Sequence, residues 1–254
     1  MADHALPTNG GIGAVAVFND AIRDGLKGSV FDIESTGYIN GSADKTTAAK
    51  VIFGILGGNK STGAGWNVNG SMVINYMSSH DNNTLWDKLQ LSCPDAPEEE
   101  RLAMQRLGAS IVLISRGTPF FLAGEEMLRT KSGDENSYMS SDAVNNLDWE
   151  SLVPGSAAYE MSRFYRDLIA VRRANSFFMN SEIKTETLDD SSITVQWSLG
   201  GRLLAWAYIN PNAETTVVTL PEGEWTVLFG SDQGSLSGET SVEGRSVLLL
   251  KPQV

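Results

Sequence analysis

The sequence predicts an α/β chain in which strand-then-helix units give way to a small antiparallel β-sandwich. Two observations carry this. Through about residue 180, short apolar runs alternate with longer segments of helical period, the pattern of a parallel sheet with crossover helices. After Asn180, short β-type runs recur between turn clusters rich in Gly, Asn, Asp and Pro, the pattern of an antiparallel sandwich.

In the first unit, Val15 to Phe18 reads as a buried parallel strand, and Asn19-Asp20 caps a short helix through Leu26. Asp44 caps a helix through Leu56, and Gly57-Gly58 stops it. Residues 59–70, rich in Gly and Asn, read as a loop. The second unit begins with a strand over Ser71 to Met77 and ends in the polar cluster Ser78-Ser79-His80-Asp81-Asn82-Asn83. A helix from about Pro97 to Ser115 follows, with Pro97 in its first turn. Glu98, Glu99 and Glu100 complement the positive end of its dipole. Gly117 is expected to take the left-handed cap. The third unit is a strand over Phe120 to Gly124, a polar loop to about Pro154 and a helix from Ser156 to about Phe178. Met161, Phe164, Tyr165, Leu168, Ile169 and Val171 form that helix's core stripe. The runs from Thr185 to Leu250 are the sandwich strands. Trp197, Trp206, Tyr208 and Trp225 fall within them, as core residues rather than sugar platforms.

The 254 residues carry a net charge of −12, which repels phosphate backbones and anionic lipid, so nucleic acid and membrane surfaces are set aside as partners. A neutral substrate is indifferent to that charge, and acidity that only serves solubility is an equal reading. The single cysteine, Cys93, excludes an intrachain disulfide and reads as a buried or loop residue. No apolar run reaches membrane-span length, and residues 1–13 lack the pattern of a secretory signal, which leaves localisation unknown. His4 and His80 stand far apart without zinc-ligand spacing, so no metal or other cofactor is expected. Gly57-Gly58 and the glycines of 63–70 read as turns rather than nucleotide loops.

Parallel strands alternating with helices present functional residues at their C-terminal ends, where His80-Asp81 and the loop after Gly124 fall. The segment Tyr76-Met77-Ser78-Ser79-His80-Asp81-Asn82 resembles the fourth conserved region of the α-amylase superfamily, at the end of the seventh barrel strand. Gly117 to Glu126 looks like that superfamily's eighth strand. Leu128-Arg129-Thr130-Lys131-Ser132-Gly133-Asp134-Glu135-Asn136-Ser137-Tyr138, with Asn145-Asn146-Leu147-Asp148-Trp149, resembles the type I pullulanase group. Phe18-Asn19-Asp20, Arg23-Asp24 and Lys27-Gly28-Ser29 resemble that group's sixth-strand segment.

The resemblance implies that residues 1–180 are the C-terminal part of a TIM barrel, strands six to eight with their helices, followed by a β-sandwich over 181–254. It implies a retaining, debranching hydrolase of α-1,6-glucosidic bonds acting on an α-glucan such as pullulan, starch or branched maltodextrin. His80 would hydrogen-bond a sugar hydroxyl, and Asp81 would be the carboxylate that stabilises the oxocarbenium-like transition state. Asn136 and Tyr138 would line the glucan site, or hold their loop through Asx-type turns. Ser78 departs from the pattern, which has Glu there.

Retaining hydrolysis also needs a nucleophile and an acid/base, two carboxyl groups roughly 5–5.5 Å apart. Nothing here resembles those regions, so the chain alone is expected to be inactive. Glu125 and Glu126 read as ion-paired structural carboxylates, Asp134 and Glu135 as solvated ones. Three strands leave two sheet edges, so the chain is expected to self-associate, rearrange, or pair with the missing N-terminal half of the barrel. A non-catalytic carbohydrate-binding piece and an inert structural fragment are the other readings.

Overall fold

A computed structural model describes residues 16–58, 70, 72–230 and 234–253. Val15, the N-terminal stretch with His4, the 59–69 loop and Ser71 lie outside the described residues. A short parallel sheet of order β1-β2-β3 joins Val17–Phe18 (β1), Val73–Asn75 (β2) and Thr118–Pro119 (β3). Val17 pairs with Val73 and Ile74 with Thr118. Between β1 and β2 lie α1 (Asp20–Lys27) and α2 (Lys45–Ile55); between β2 and β3 lie α3 (Leu85–Ser92) and α4 (Glu98–Ile114).

Local chemistry sets these boundaries. The Asn19 side chain caps α1 by accepting from Ile22 N. Asp44 and Thr47 form a capping box on α2: Asp44 Oδ1 accepts from the Thr46 and Thr47 amides at 2.8 Å, and Thr47 Oγ1 accepts from Asp44 N at 3.0 Å. Pro97 is the N-cap of α4 rather than part of its first turn, and the three glutamates follow directly. The second half of α4, from Leu107 to Ile114, is buried on every side, so its apolar character is wider than one stripe.

Gly117 does not cap α4. The helix ends on extended Ser115, and Gly117, at φ +96°, opens β3 two residues later. A Cβ there would stand 2.6 Å from the Val73 carbonyl oxygen, so only glycine lets β3 approach β2.

Both apolar runs that predicted strands pair over less length than expected. In the described part of the first run, Met72 to Met77, the strand is confined to β2, and the run Phe120 to Gly124 lies beyond β3. After Phe120 N donates to Asn75 O at 2.9 Å, the chain leaves the ladder. Its apolar residues serve packing instead: Phe120 meets Phe18 and Tyr76 edge-on, and Phe121 meets Tyr165.

Beyond the loop stand α5 (Asp142–Asn145), α6 (Ala157–Ala174) and α7 (Phe177–Asn180). The single helix expected from Ser156 to Phe178 breaks at Asn175, whose side chain donates to Val171 O. Met161, Tyr165 and Leu168 are buried, but Ile169 faces out at 37% exposure.

The C-terminal strands are β4 (Glu182–Leu188), β5 (Ser192–Leu199), β6 (Arg202–Asn210), β7 (Thr216–Thr219), β8 (Trp225–Phe229), β9 (Ser235–Leu236), β10 (Glu239–Val242) and β11 (Ser246–Pro252). They form a six-stranded sheet of order β4-β5-β6-β11-β8-β9 and an antiparallel pair of β7 with β10. Period-two alternation splits β6 cleanly. Ala205, Ala207 and Ile209 join the core shared with the helices, whereas Trp206 and Tyr208 join a second cluster with Val218, Leu220, Trp225, Val242 and Leu250. That second cluster lies between the large sheet and the β7–β10 pair. Trp197, Trp206, Tyr208 and Trp225 are all buried.

The helices and the large sheet share one apolar cluster, from Ile22 and Ile55 to Trp197 and Leu249. Arg245 bridges the two parts, pairing with Glu100 at 2.6 Å and donating to Ile39 O at 3.0 Å. No described helix is long and apolar enough to cross a membrane.

Candidate functional site

The parallel strands run in one direction, so the turn after β2 and the loop after β3 emerge side by side. Asn75 closes β2 from within. Its Nδ2 donates to Gly54 O at 3.1 Å and Arg116 O at 2.9 Å, and its Oδ1 accepts from Asn19 Nδ2 at 2.9 Å. Tyr76 then hydrogen-bonds Asp20 at 2.7 Å and accepts from Arg23. Past this anchored segment the chain turns outward at His80-Asp81.

The His80 and Asp81 side chains are 86% and 78% exposed, and Nε2 lies 3.3 Å from Oδ1. They stand free at a strand end, in reach of a ligand arriving from solvent. Tyr138 is 81% exposed on a short 3-10 turn, Ser137–Met139, and Asn136 immediately before it is also exposed. The Asx-type alternative has a concrete counterpart one residue pair earlier: Asp134 Oδ1 accepts from Asn136 N at 3.0 Å, and Asp134 Oδ2 accepts from Ser140 Oγ. Those bonds hold the Asp134 carboxyl below its ordinary pKa. Asp134 is thus a loop-holding carboxylate, not a freely solvated one. Asn145 closes the same loop by donating to Ser137 O at 2.6 Å.

The expectation of ion-paired Glu125 and Glu126 needs correction. Glu125 is buried and bonds hydroxyls: Ser78 Oγ at 2.5 Å and Tyr165 OH at 3.0 Å. Burial pushes its pKa up to about 7, against the two hydroxyl donors and the charge of Lys27. Lys27 is itself buried, and desolvation brings its pKa down to about 8. A charged partner at contact distance would have kept Glu125 ionised; hydroxyls satisfy its lone pairs without repaying desolvation. Glu126 accepts from Gly124 N at 3.0 Å. Ser78, which departs from the resembled pattern, supplies one of the hydroxyls that donate to the Glu125 carboxyl.

Lys131 and Asp87 carry structure that the sequence reading assigned no role. Lys131 Nζ donates to His80 O at 2.8 Å, and Asp87 Oδ2 accepts from Lys131 N at 2.7 Å. Burial lowers the Lys131 pKa, with Asp134, Asp81 and Asp87 opposing. Lys131 lies inside a segment whose resemblance was noted, but no pattern of charge or spacing reveals that a surface-type residue turns inward. Among the described residues, no group of three or more His, Cys, Asp or Glu is placed to hold a metal. Cys93 is half-buried, with Sγ 3.3 Å from Asn40 O.

No family model matches the chain. It is 38% identical over 170 residues to a pullulanase of Bacillus subtilis (strain 168), a match spanning 65% of this chain and 22% of that protein. In structure it is similar to a pullulanase from Paenibacillus barengoltzii in complex with maltohexaose and alpha-cyclodextrin. That match has a TM-score of 0.86 and 33% identity, and covers 95% of this chain and 39% of the other. It is similar in the same degree to a type I pullulanase from Bacillus subtilis str. 168 complexed with maltose, with a TM-score of 0.86, 28% identity and 36% of that chain covered. The chain therefore spans about a fifth of the length of that curated relative and under half of these solved chains.

Proposed function

We propose, from the premise that this chain is pullulanase-like in sequence and fold, that it supplies one side of an α-glucan-debranching active site. The parallel sheet and its helices act as the last three strands of a TIM barrel, with residues 1–180 belonging to that barrel and 181–254 forming a β-sandwich domain. Asp81 is the transition-state-stabilising carboxylate, and His80 holds a sugar hydroxyl beside it. Asn136 and Tyr138 line the glucan. The observation that carries this reading is the exposed His80–Asp81 pair at the C-terminal end of β2, in a segment similar to pullulanases that bind maltooligosaccharides.

The chemistry follows from the charges. An oxocarbenium-like centre gains from a fixed carboxylate, and a sugar hydroxyl gains from an imidazole partner. The nucleophile and the acid/base lie on polypeptide outside this chain, so the chain acts only when paired with that half of the barrel.

The test is pullulan hydrolysis by the chain alone, and again after mixing with a polypeptide supplying the five preceding strands. The expected outcome is no turnover alone and turnover on mixing. Asp81→Asn should lower the mixed rate on the order of 10⁴-fold or more, as for other residues that act in a catalytic unit. Full activity of the chain alone, unchanged by Asp81→Asn, overturns the proposal.

A further inference from the structure

The turn after β2 and the loop after β3 meet along a buried polar seam. On the turn side, Asn83 is 4% exposed and donates through Nδ2 to Gly133 O at 3.0 Å. The His80 carbonyl accepts from Lys131 Nζ at 2.8 Å, with Lys131 only 3% exposed. Asp87, 1% exposed in the first turn of α3, accepts from Lys131 N at 2.7 Å and from Thr130 Oγ1. The Asn83, Asp87 and Lys131 side chains of the seam are buried, whereas His80, Asp81, Asn136 and Tyr138 are exposed.

Burying an ammonium and a carboxylate is costly, and a loop that needed only to be closed could use apolar side chains. What an ionic, multiply hydrogen-bonded seam provides is one fixed geometry. Ahead of the seam the turn is held at its start by Ser78 Oγ donating to Glu125. Asn82 sits at φ +62°, and the His80 and Asp81 side chains contact each other and solvent. From Lys131 the path to the other pair is short: Asp134 N donates to Lys131 O at 3.1 Å, and Asp134 accepts from Asn136 N.

We propose that Lys131 and Asp87 lock the loop after β3 onto the turn after β2, so that His80–Asp81 and Asn136–Tyr138 are held toward the glucan as one unit. Lys131 is then a positioning residue that touches no substrate. This rests on the glucan site proposed above.

The test uses the full chain and its Lys131→Met variant, which keeps the stem and removes the ammonium. Two quantities are measured: amide hydrogen exchange along the chain, and affinity for maltotetraose. Exchange over residues 80–83 and 134–138 should rise together, with the amides of α4 and β6 unchanged. Affinity should fall about tenfold or more, the loss expected when one charged hydrogen bond no longer holds a site. Faster exchange confined to one of the two segments, or no change, overturns the coupling.

Unchanged affinity with coupled exchange overturns the positioning role. If the wild-type chain binds no maltotetraose either alone or mixed with the polypeptide supplying the preceding strands, the glucan reading itself fails, and the exchange result alone decides whether the two segments are locked. Should Lys131→Met not fold, Asn83→Ala, which removes only the bond to Gly133 O, is read in the same way.

Discussion

Glu125 illustrates how one buried carboxyl makes stability depend on pH. Its folded pKa of about 7 lies above the ordinary value of 4.5, because burial outweighs the Ser78 and Tyr165 hydroxyls. A raised carboxyl pKa means the folded state holds the proton more tightly, so this group's contribution is complete below about pH 4.5. It is lost as pH rises through about 7. Lys27 works in the opposite sense: its depressed pKa of about 8 means that its desolvation cost is felt in full below that pH. Glu125→Gln keeps an acceptor for the hydroxyls and removes the titration. The wild-type chain should lose about 2 kcal/mol between pH 5 and 7 relative to this variant, measured from urea midpoints at the two pH values. Equal pH dependence of the two proteins would show that Glu125 is ionised throughout. At this scale the sequence was legible where a residue's neighbours lie close by in the chain, as with the Asp44 capping box. It was not legible for Glu125, whose partners are 40 and 47 positions away.

At the scale of elements, periodicity located the helices well and the parallel strands poorly. A helix shows its length in sequence because every turn must be paid for by a buried face. A parallel strand of two or three residues leaves no such record, and the apolar runs around β2 and β3 serve packing as much as pairing. What aligns these short strands is polar. Asn75 ties β2 to the last turn of α2 through Gly54 O, to the approach to β3 through Arg116 O, and to the cap of α1 through Asn19. Asn75 is 1% exposed, so water cannot replace it. Asn75→Ala should therefore cost about 2–4 kcal/mol in chemical denaturation, since it strands two carbonyls and an amide. A loss below 1 kcal/mol would mean that the strands align without it. The antiparallel strands needed no such knot: alternation of Ala205, Ala207 and Ile209 with Trp206 and Tyr208 already assigns each side chain to a face.

For the whole molecule, the decisive feature is the contrast between the two sheets. The six-stranded sheet is covered on both faces, by the helices on one side and by the β7–β10 pair on the other. The parallel sheet is not: in the described residues β1 and β3 each pair on one side only, and Phe18 at the edge is 42% exposed while stacking edge-on with Tyr76 and Phe120. An edge strand with an exposed aromatic is a template for another strand. The expected outcome is that the chain alone self-associates at micromolar concentration, and that a polypeptide supplying the preceding strands converts it to a compact heterodimer. Light scattering with and without that polypeptide reads both states. Phe18→Glu should weaken each of them by placing a charge on the shared edge, without touching the clusters that hold the rest of the fold. A chain that stays monomeric at every concentration and ignores the added half would mean that its edge is already closed, and would remove the reason to regard this sheet as one part of a larger barrel.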